Sequence, residues 1–117
     1  MPGKDDMVYF GHMLDMGRKI AERTRRLTRK QFDANEDLRL ALAHLVQIMG
    51  EAARRVSDEE RRAHPEIPWR EITGIRHKIV HDYMDIKESV LWEVVVTDIP
   101  PLLAALERIV PPEDALQ

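Results

Sequence analysis

The sequence predicts an all-α fold, an up-and-down bundle of about four principal helices with short helices between them. Apolar residues recur at helical rather than strand spacing along most of the 117 residues. Only five glycines occur, and none forms an Asn-Gly or Asp-Gly hairpin signal. We expect a single domain over residues 1–117, with its core over about residues 5–110 and a loose tail over residues 111–117.

Composition narrows the possible functions. The absence of cysteine excludes a disulfide scaffold, a thiolate metal site and cysteine nucleophilic catalysis. A net charge of −3 argues against a broadly basic nucleic-acid binder but permits a local basic site. No uninterrupted apolar run approaches the ~18 residues of a membrane span, and the first residues lack the apolar stretch of a signal peptide. We therefore expect a soluble cytoplasmic protein with no membrane association.

The first two predicted helices are long. The first begins near Asp5 or Asp6, whose carboxylates are suited to capping its free amides. The second runs from about Asn35 to Val56 with one apolar stripe, and Gly50 inside it indicates a close approach of another helix.

The end of the first helix is strongly basic, which favours either helix-end stabilisation and a solvated face or a phosphate-contacting edge. The basic residues are Arg18, Lys19, Arg23, Arg25, Arg26, Arg29 and Lys30.

The remaining elements follow from caps and prolines. Ser57 and Glu60 form a capping-box pattern for a short helix that ends at His64-Pro65. Pro68 suits the first turn of a third principal helix. Asp85 with Glu88 resembles an N-terminal cap of a last helix. This helix passes through Val94-Val95-Val96, is kinked or restarted by Pro100-Pro101, and ends at Pro111-Pro112.

The segment of residues 75–85 contains the highest concentration of candidate catalytic side chains. On an ideal helix, Arg76 falls in the apolar arc, where a guanidinium needs an anionic partner such as Glu51. His77 and His81 fall on the opposite side, and His81 lies about 140° from Arg76. One straight helix therefore cannot direct Arg76 and His81 to the same atom. Either the helix ends near His81, or two chains contribute to a shared site.

The run Arg-x4-His-x-Tyr, formed by Arg76, His81 and Tyr83, resembles the signature of the HEPN superfamily, most closely that of HepT-like ribonuclease toxins. Further segments appear in the order that this family shows. They are Ile48-Met49-Gly50-Glu51-Ala52-Ala53, Trp69 with Ile72, Val80 to Ile86, Leu91-Trp92-Glu93 and Asp98-Ile99-Pro100. The resemblance covers about residues 5–110 and implies a HEPN-like bundle. Many members have Asn directly after the Arg, where this chain has His77.

The resemblance implies a metal-independent endoribonuclease without a cofactor, acting as a homodimer whose two motif copies share one groove. His81 would take the proton of a ribose 2′-hydroxyl, since imidazole ordinarily titrates near pH ~6.5. The partner's His81 would protonate the leaving oxygen. Arg76 would hold the scissile phosphate, and the product would carry a 2′,3′-cyclic phosphate. His77, Glu51 and Asp82 are candidate supporting residues, and arginines would line the rim of the cleft. Candidates for the rim are Arg23, Arg25, Arg26, Arg54 and Arg55.

The resemblance also implies a partner and a form of control. Tyr83 matches the position at which HepT-like toxins accept AMP from a MntA-like nucleotidyltransferase antitoxin. An AMP group two residues from His81 would block the phosphate site by charge and volume. The chain would then be the toxin of a type VII-like toxin–antitoxin pair.

Two alternatives stay open. The first is a metal site, because His77 and His81 have the i, i+4 spacing of a zinc-binding pair, with Asp82 or His64 as a third ligand. The second is a catalytically inactive helical subunit that only binds a nucleotidyltransferase. The departure at His77 is the feature that favours this second reading.

Overall fold

The computed structural model describes residues 3–82 and 85–112, without the side chains of Lys4, His81 and Asp82. Its α-helices are α1 (Lys4–Thr24), α2 (Arg29–Asp33), α3 (Glu36–Arg54), α4 (Asp58–Ala63), α5 (Trp69–Thr73), α6 (Ile75–Ile79), α7 (Glu88–Glu93) and α8 (Ile99–Ile109). Strands β1 (Val80–Asp82) and β2 (Asp85–Ile86) pair antiparallel, and a π-helical turn (Val94–Asp98) joins α7 to α8. The predicted all-α, HEPN-like class is confirmed. The count of four principal helices is not, since the described residues form three long helical segments and several short ones.

The long helices α1 and α3 pack antiparallel. At the start of α1, the Asp6 carboxylate accepts hydrogen bonds of 2.8 Å from the backbone N–H and the hydroxyl of Ser57, just beyond α3. Midway along α1, a Cβ built on Gly17 would lie 3.1 Å from Met49 Cε and 3.2 Å from Leu103 Cδ1. Helices α1, α3 and α8 therefore meet closely at Gly17. The predicted capping by Asp5 or Asp6 is wrong, because Gly3 occupies the N-cap position without a side-chain cap.

The core lies between these three long segments and the short helices α5 and α6. Its large, fully buried side chains include Phe10, Met13, Ile20, Phe32, Leu42, Met49, Ile67, Ile79, Leu91 and Leu106. Helix α3 begins after the predicted residue, because the Asn35 side chain accepts a hydrogen bond of 3.0 Å from the backbone N–H of Leu38. Ser57 caps α4 as predicted, with its hydroxyl accepting from the Glu60 N–H at 3.3 Å.

The predicted third helix is not one straight helix. Gly74 interrupts it between α5 and α6, and α6 ends at Ile79. The Ile79 carbonyl accepts a 2.7 Å hydrogen bond from the N–H of Lys87, so the chain continues as a hairpin instead of another helical turn. Ile75 and Ile79 are buried, while Arg76 is exposed. The prediction that Arg76 lies in the core arc is wrong, because α6 starts a new angular register after Gly74.

Gly50 allows the close helix approach that the sequence predicts. A Cβ at this position would lie 2.8 Å from the Ile72 carbonyl oxygen and 2.9 Å from Ile75 Cγ2. Both distances are shorter than ordinary van der Waals contacts. The absence of a side chain at Gly50 therefore lets α5 and α6 rest directly on α3.

The segment from α7 to α8 is continuous. Lys87, not the predicted Asp85, occupies the N-cap of α7, since Asp85 belongs to β2. Val94-Val95-Val96 is helical as predicted, but in a π-helical turn. This turn ends with the Ile99 N–H donating to the Val94 carbonyl, immediately before Pro100-Pro101. Because prolines have no N–H to donate, the wider turn allows the helix to restart without unpaired donors.

One described segment is long and apolar enough to cross a membrane by length and composition alone. It spans Glu88–Ile109 and has a mean hydropathy of 1.5 over its most apolar window. Its apolar side chains Leu91, Val94, Leu102 and Leu106 are buried in the core. About 39% of that window is buried, so the segment presents part of its apolar surface to the core.

Candidate active site

A cleft of about 370 Å³ lies between α3 and the α5–α6 pair. Its polar side chains belong to histidine, arginine, glutamine, glutamate and threonine, and its floor is formed by Ile48, Gly50 and Ile75. The polar lining residues are His44, Gln47, Glu51, Arg54, Thr73, Arg76 and His77. The cleft thus contains four of the candidate site residues predicted from the sequence: Glu51, Arg54, Arg76 and His77.

The α3 wall is built by helical periodicity. His44, Gln47, Glu51 and Arg54 succeed one another at intervals of three or four residues, so they share one face of α3. The opposite face of α3 is buried in the core through Leu42, Val46 and other apolar residues. The core therefore fixes the direction in which α3 presents these polar groups.

The α6 wall is short and depends on its neighbours. Helix α6 has only five residues, and Ile75 and Ile79 anchor it in the core. This anchoring leaves Arg76 and His77 exposed at the cleft. The preceding helix is held in turn by Trp69, whose indole N–H donates to the His64 carbonyl at 3.0 Å.

The charges in the cleft favour an anionic ligand. Glu51 and Arg54 form an ion pair at 3.8 Å. The expected ion pair between Glu51 and Arg76 is not formed, although both residues line the same cleft. Among the described side chains, which do not include that of Asp82, Arg76 takes part in no ion pair. A solvent-accessible guanidinium next to imidazoles is a group that binds phosphate.

His81 follows this wall in the chain. Its backbone lies in β1, which begins directly after α6, so the helix ends before His81. This is the first of the two geometric solutions that the sequence left open. The side chains of His81 and Asp82 lie outside the described part of the structure, as does Tyr83 entirely.

The helical zinc pair is contradicted by the backbone. His77 lies in α6 and His81 in β1, so the two are not one turn apart on a common helix. His64 lies elsewhere, 3.5 Å from carboxylate oxygens of both Glu60 and Glu66. Among the described residues, no group of three metal-ligating side chains comes together.

The arginines predicted at the rim of the cleft do not all lie near it. Arg54 lines the cleft. Arg23, Arg25 and Arg26 lie at or just beyond the end of α1, which the antiparallel packing places at the other end of the α1–α3 pair. In the same basic stretch, Arg18 lies 3.9 Å from Glu107, and Arg29 binds both Asp33 and Ser89, so part of it is structural.

Three polar residues of the cleft, His44, Gln47 and Thr73, were not predicted from the sequence. His44 and Gln47 are on the face of α3 that also carries Glu51, seven and four residues before it. The available signal was this spacing from Glu51. It is visible only when the polar face of α3 is considered together with its apolar stripe.

The all-α bundle is consistent with a HEPN-like helical fold. The family described as "Ribonuclease HepT-like" matches residues 13–109. The chain therefore belongs to the HepT-like ribonuclease family, and the predicted family and enzyme class are confirmed.

Individual relatives agree with this assignment. A probable ribonuclease HepT of Thermococcus cleftensis is 36% identical over 90 residues, which cover 77% of this chain and 82% of the relative. A putative RNase of Caldanaerobacter subterraneus subsp. tengcongensis is 30% identical over 105 residues, covering 90% of this chain and 94% of the relative. A gamma-glutamylcyclotransferase and putative RNase of Methanocaldococcus jannaschii is 31% identical over 91% of this chain and 48% of the relative. No solved structure matches the chain.

Proposed function

We propose that the chain is the toxin of a type VII-like toxin–antitoxin pair and cleaves RNA without a metal ion. Membership of the HepT-like ribonuclease family supports the activity. The observation that carries the proposal is the cleft, where Arg76 stands exposed beside His77 and opposite the polar face of α3. An accessible guanidinium in a partly enclosed cleft is suited to holding a scissile phosphate.

The reaction is an intramolecular transesterification. His81 takes the proton of the ribose 2′-hydroxyl, and the 2′-oxygen attacks the adjacent phosphorus. Arg76 holds the phosphate and stabilises the additional negative charge of the pentacoordinate state. The 5′-oxygen leaves, and the upstream product ends in a 2′,3′-cyclic phosphate.

The test is cleavage of RNA by the purified protein, free of any antitoxin and in the presence of a chelator. We expect cleavage that leaves cyclic phosphate ends. Arg76→Ala and His81→Ala should each lower kcat/KM by about 10²-fold or more, because each removes a group that acts on the transition state. Undiminished cleavage by either variant would remove that residue from the mechanism.

Tyr83 is the proposed site of control. A nucleotidyltransferase antitoxin of the MntA type transfers AMP from ATP to its hydroxyl. The tyrosine oxygen bonds to the α-phosphorus, pyrophosphate leaves and the hydroxyl proton is released, and the added phosphate and bulk close the site to RNA. After co-expression with the antitoxin, intact-mass measurement should show the gain of one or more AMP groups and loss of cleavage. The gain should be absent in Tyr83→Phe, and its persistence there would place the modification elsewhere.

The second candidate is a catalytically inactive subunit that only binds a nucleotidyltransferase. The observation in its favour is His77, which lines the cleft where many family members have Asn. The cleavage assay separates the two candidates. Absence of cleavage by pure, folded protein, together with a stable complex with the antitoxin, would favour the binding subunit.

A further inference from the structure

We propose that His44 is a further catalytic residue, the general acid that protonates the leaving 5′-oxygen. This inference rests on the proposed ribonuclease function and deepens it. It gives to a residue of the same chain the role that the sequence analysis left to the partner's His81. The starting observation is that His44 is exposed on α3 and lines the same cleft as Arg76.

The position of His44 matches the geometry of the reaction. The attacking 2′-oxygen and the leaving 5′-oxygen occupy opposite apical positions around phosphorus in an in-line displacement. The base and the acid must therefore approach the phosphate from opposite sides. The chain reaches His81 directly from α6, whereas His44 belongs to α3, which forms the other wall.

His77 is the competing imidazole in the cleft, but it belongs to the α6 wall. It follows Arg76 immediately, and adjacent residues of a helix point in different directions. His77 is therefore poorly placed to act on the side of the phosphate away from α6. His44 approaches from the facing helix and leaves Arg76 free to hold the non-bridging oxygens.

The neighbours of His44 on α3 support this arrangement. Gln47 is one turn further along the same face, and its amide can hydrogen-bond to RNA. Glu51 is two turns away and is already paired with Arg54. A carboxylate so paired adds less negative charge to the place where a phosphate must bind.

The proton balance is complete with these two histidines. His81 receives the proton of the 2′-hydroxyl while the bond between the 2′-oxygen and phosphorus forms. The bond between phosphorus and the 5′-oxygen breaks, and imidazolium His44 gives its proton to that oxygen. The products are a 2′,3′-cyclic phosphate and a 5′-hydroxyl, and the two histidines exchange protons with water before the next turnover.

The test compares two substrates, an RNA with a normal cleavable linkage and the same RNA with sulfur replacing the 5′-bridging oxygen. A thiolate leaves without being protonated, so the second substrate does not need the acid. His44→Ala and His44→Gln should lose about 10²- to 10⁴-fold in kcat on normal RNA. Both should cleave the sulfur substrate within a few-fold of the wild-type rate.

The pH profile gives a second readout. General-acid catalysis predicts a fall in kcat at high pH for the unmodified protein, and the His44 variants should lose that fall. His12→Ala is the matched control, because His12 is also an exposed histidine on a long helix but lies outside the cleft. It should retain the wild-type rate and profile, and thermal melting should show that all variants fold.

The outcomes separate this inference from the function on which it rests. Full activity of His44→Gln on normal RNA, or an equal loss on both substrates, overturns the role of His44 while cleavage by the wild type persists. Rescue of the sulfur substrate in a His77 variant, and not in a His44 variant, assigns the acid to His77. No cleavage of either substrate by the folded wild type overturns the proposed function itself.

Discussion

Arg76 is the single residue on which the proposed chemistry depends most. Replacing it by Lys keeps the positive charge but removes the planar fork that binds two phosphate oxygens at once. A hydrogen bond to a charged group is worth about 1.5–3 kcal/mol. We therefore expect Arg76→Lys to lower kcat/KM by about 10- to 100-fold, less than Arg76→Ala, in the RNA cleavage assay.

Lys78 provides the matched control on the same helix. Its ammonium lies 3.7 Å from Asp98, and it does not line the cleft. Lys78→Ala removes a positive charge from α6 but not from the site, so kcat/KM should change by less than about 2-fold, since exposed ion pairs contribute little. An equal loss in both variants would mean that the general charge of α6 is what matters.

The sequence identified residue types better than their environments. Arg76, His77 and Glu51 were singled out and do line one cleft. The burial of Arg76 was predicted wrongly, because a helical wheel assumes one uninterrupted helix and Gly74 breaks it. His44 was missed because it has no motif of its own, and only the packing of α3 against α6 brings it to the site. The roles of His81, Asp82 and Tyr83 stay predictions.

At the scale of elements, Gly50 connects the core to the site. An added methyl group would press on the Ile72 carbonyl and the Ile75 side chain, both in the helices that carry the α6 wall. Overpacking of this kind costs about 1–3 kcal/mol, against about 1 kcal/mol gained from helix propensity. We expect Gly50→Ala to lower the free energy of unfolding by up to about 2 kcal/mol in denaturant titrations, and to lower cleavage as well.

Gly11 is the control for this substitution. It lies inside α1, and no atom outside its own helical surroundings lies within 4 Å of an added Cβ. Gly11→Ala should therefore raise the free energy of unfolding by up to about 1 kcal/mol through helix propensity alone. If both variants changed stability in the same direction, the contact at Gly50 would not be the cause.

Elements with strong local signals were predicted well. Helix α3 begins after the Asn35 cap and ends close to the expected residue, because its cap and apolar stripe are local. The region after Pro68 was predicted poorly, because its backbone is decided by the hydrogen bond between Ile79 and Lys87. A hydrogen bond between residues that are distant in the chain produces no hydrophobic periodicity from which it could be predicted. Proline positions predicted the restart before α8, but not the π-helical turn that makes it possible.

At the scale of the whole molecule, we expect two chains to act together. The resemblance implies a homodimer, and a two-fold pair is the commonest closed assembly. Light scattering should give about twice the 13.6 kDa mass of one chain. Mixing Arg76→Ala with His81→Ala chains tests from which chain His81 acts. The one-chain cleft in which His44 is the acid predicts no recovery of cleavage, whereas a groove shared by two chains predicts partial recovery.

Two results would contradict these expectations. A strictly monomeric protein that still cleaves RNA would contradict the homodimer, and recovery of cleavage in the mixture would contradict the one-chain site. The acidic net charge of −3 adds a related constraint. Binding of RNA must depend on a few local contacts in the groove, because the surface as a whole does not attract a polyanion.

The five residues of α6 are too few to form a stable helix in water by themselves. Their helical conformation is stabilised by packing against α3 at Gly50 and by the hairpin that follows α6. Segments of this kind open locally at a lower free energy than the long helices around them. Moderate heating should therefore abolish RNA cleavage while the amide protons of α1 and α3 are still protected from exchange. Activity would then be lost at a lower temperature than the fold.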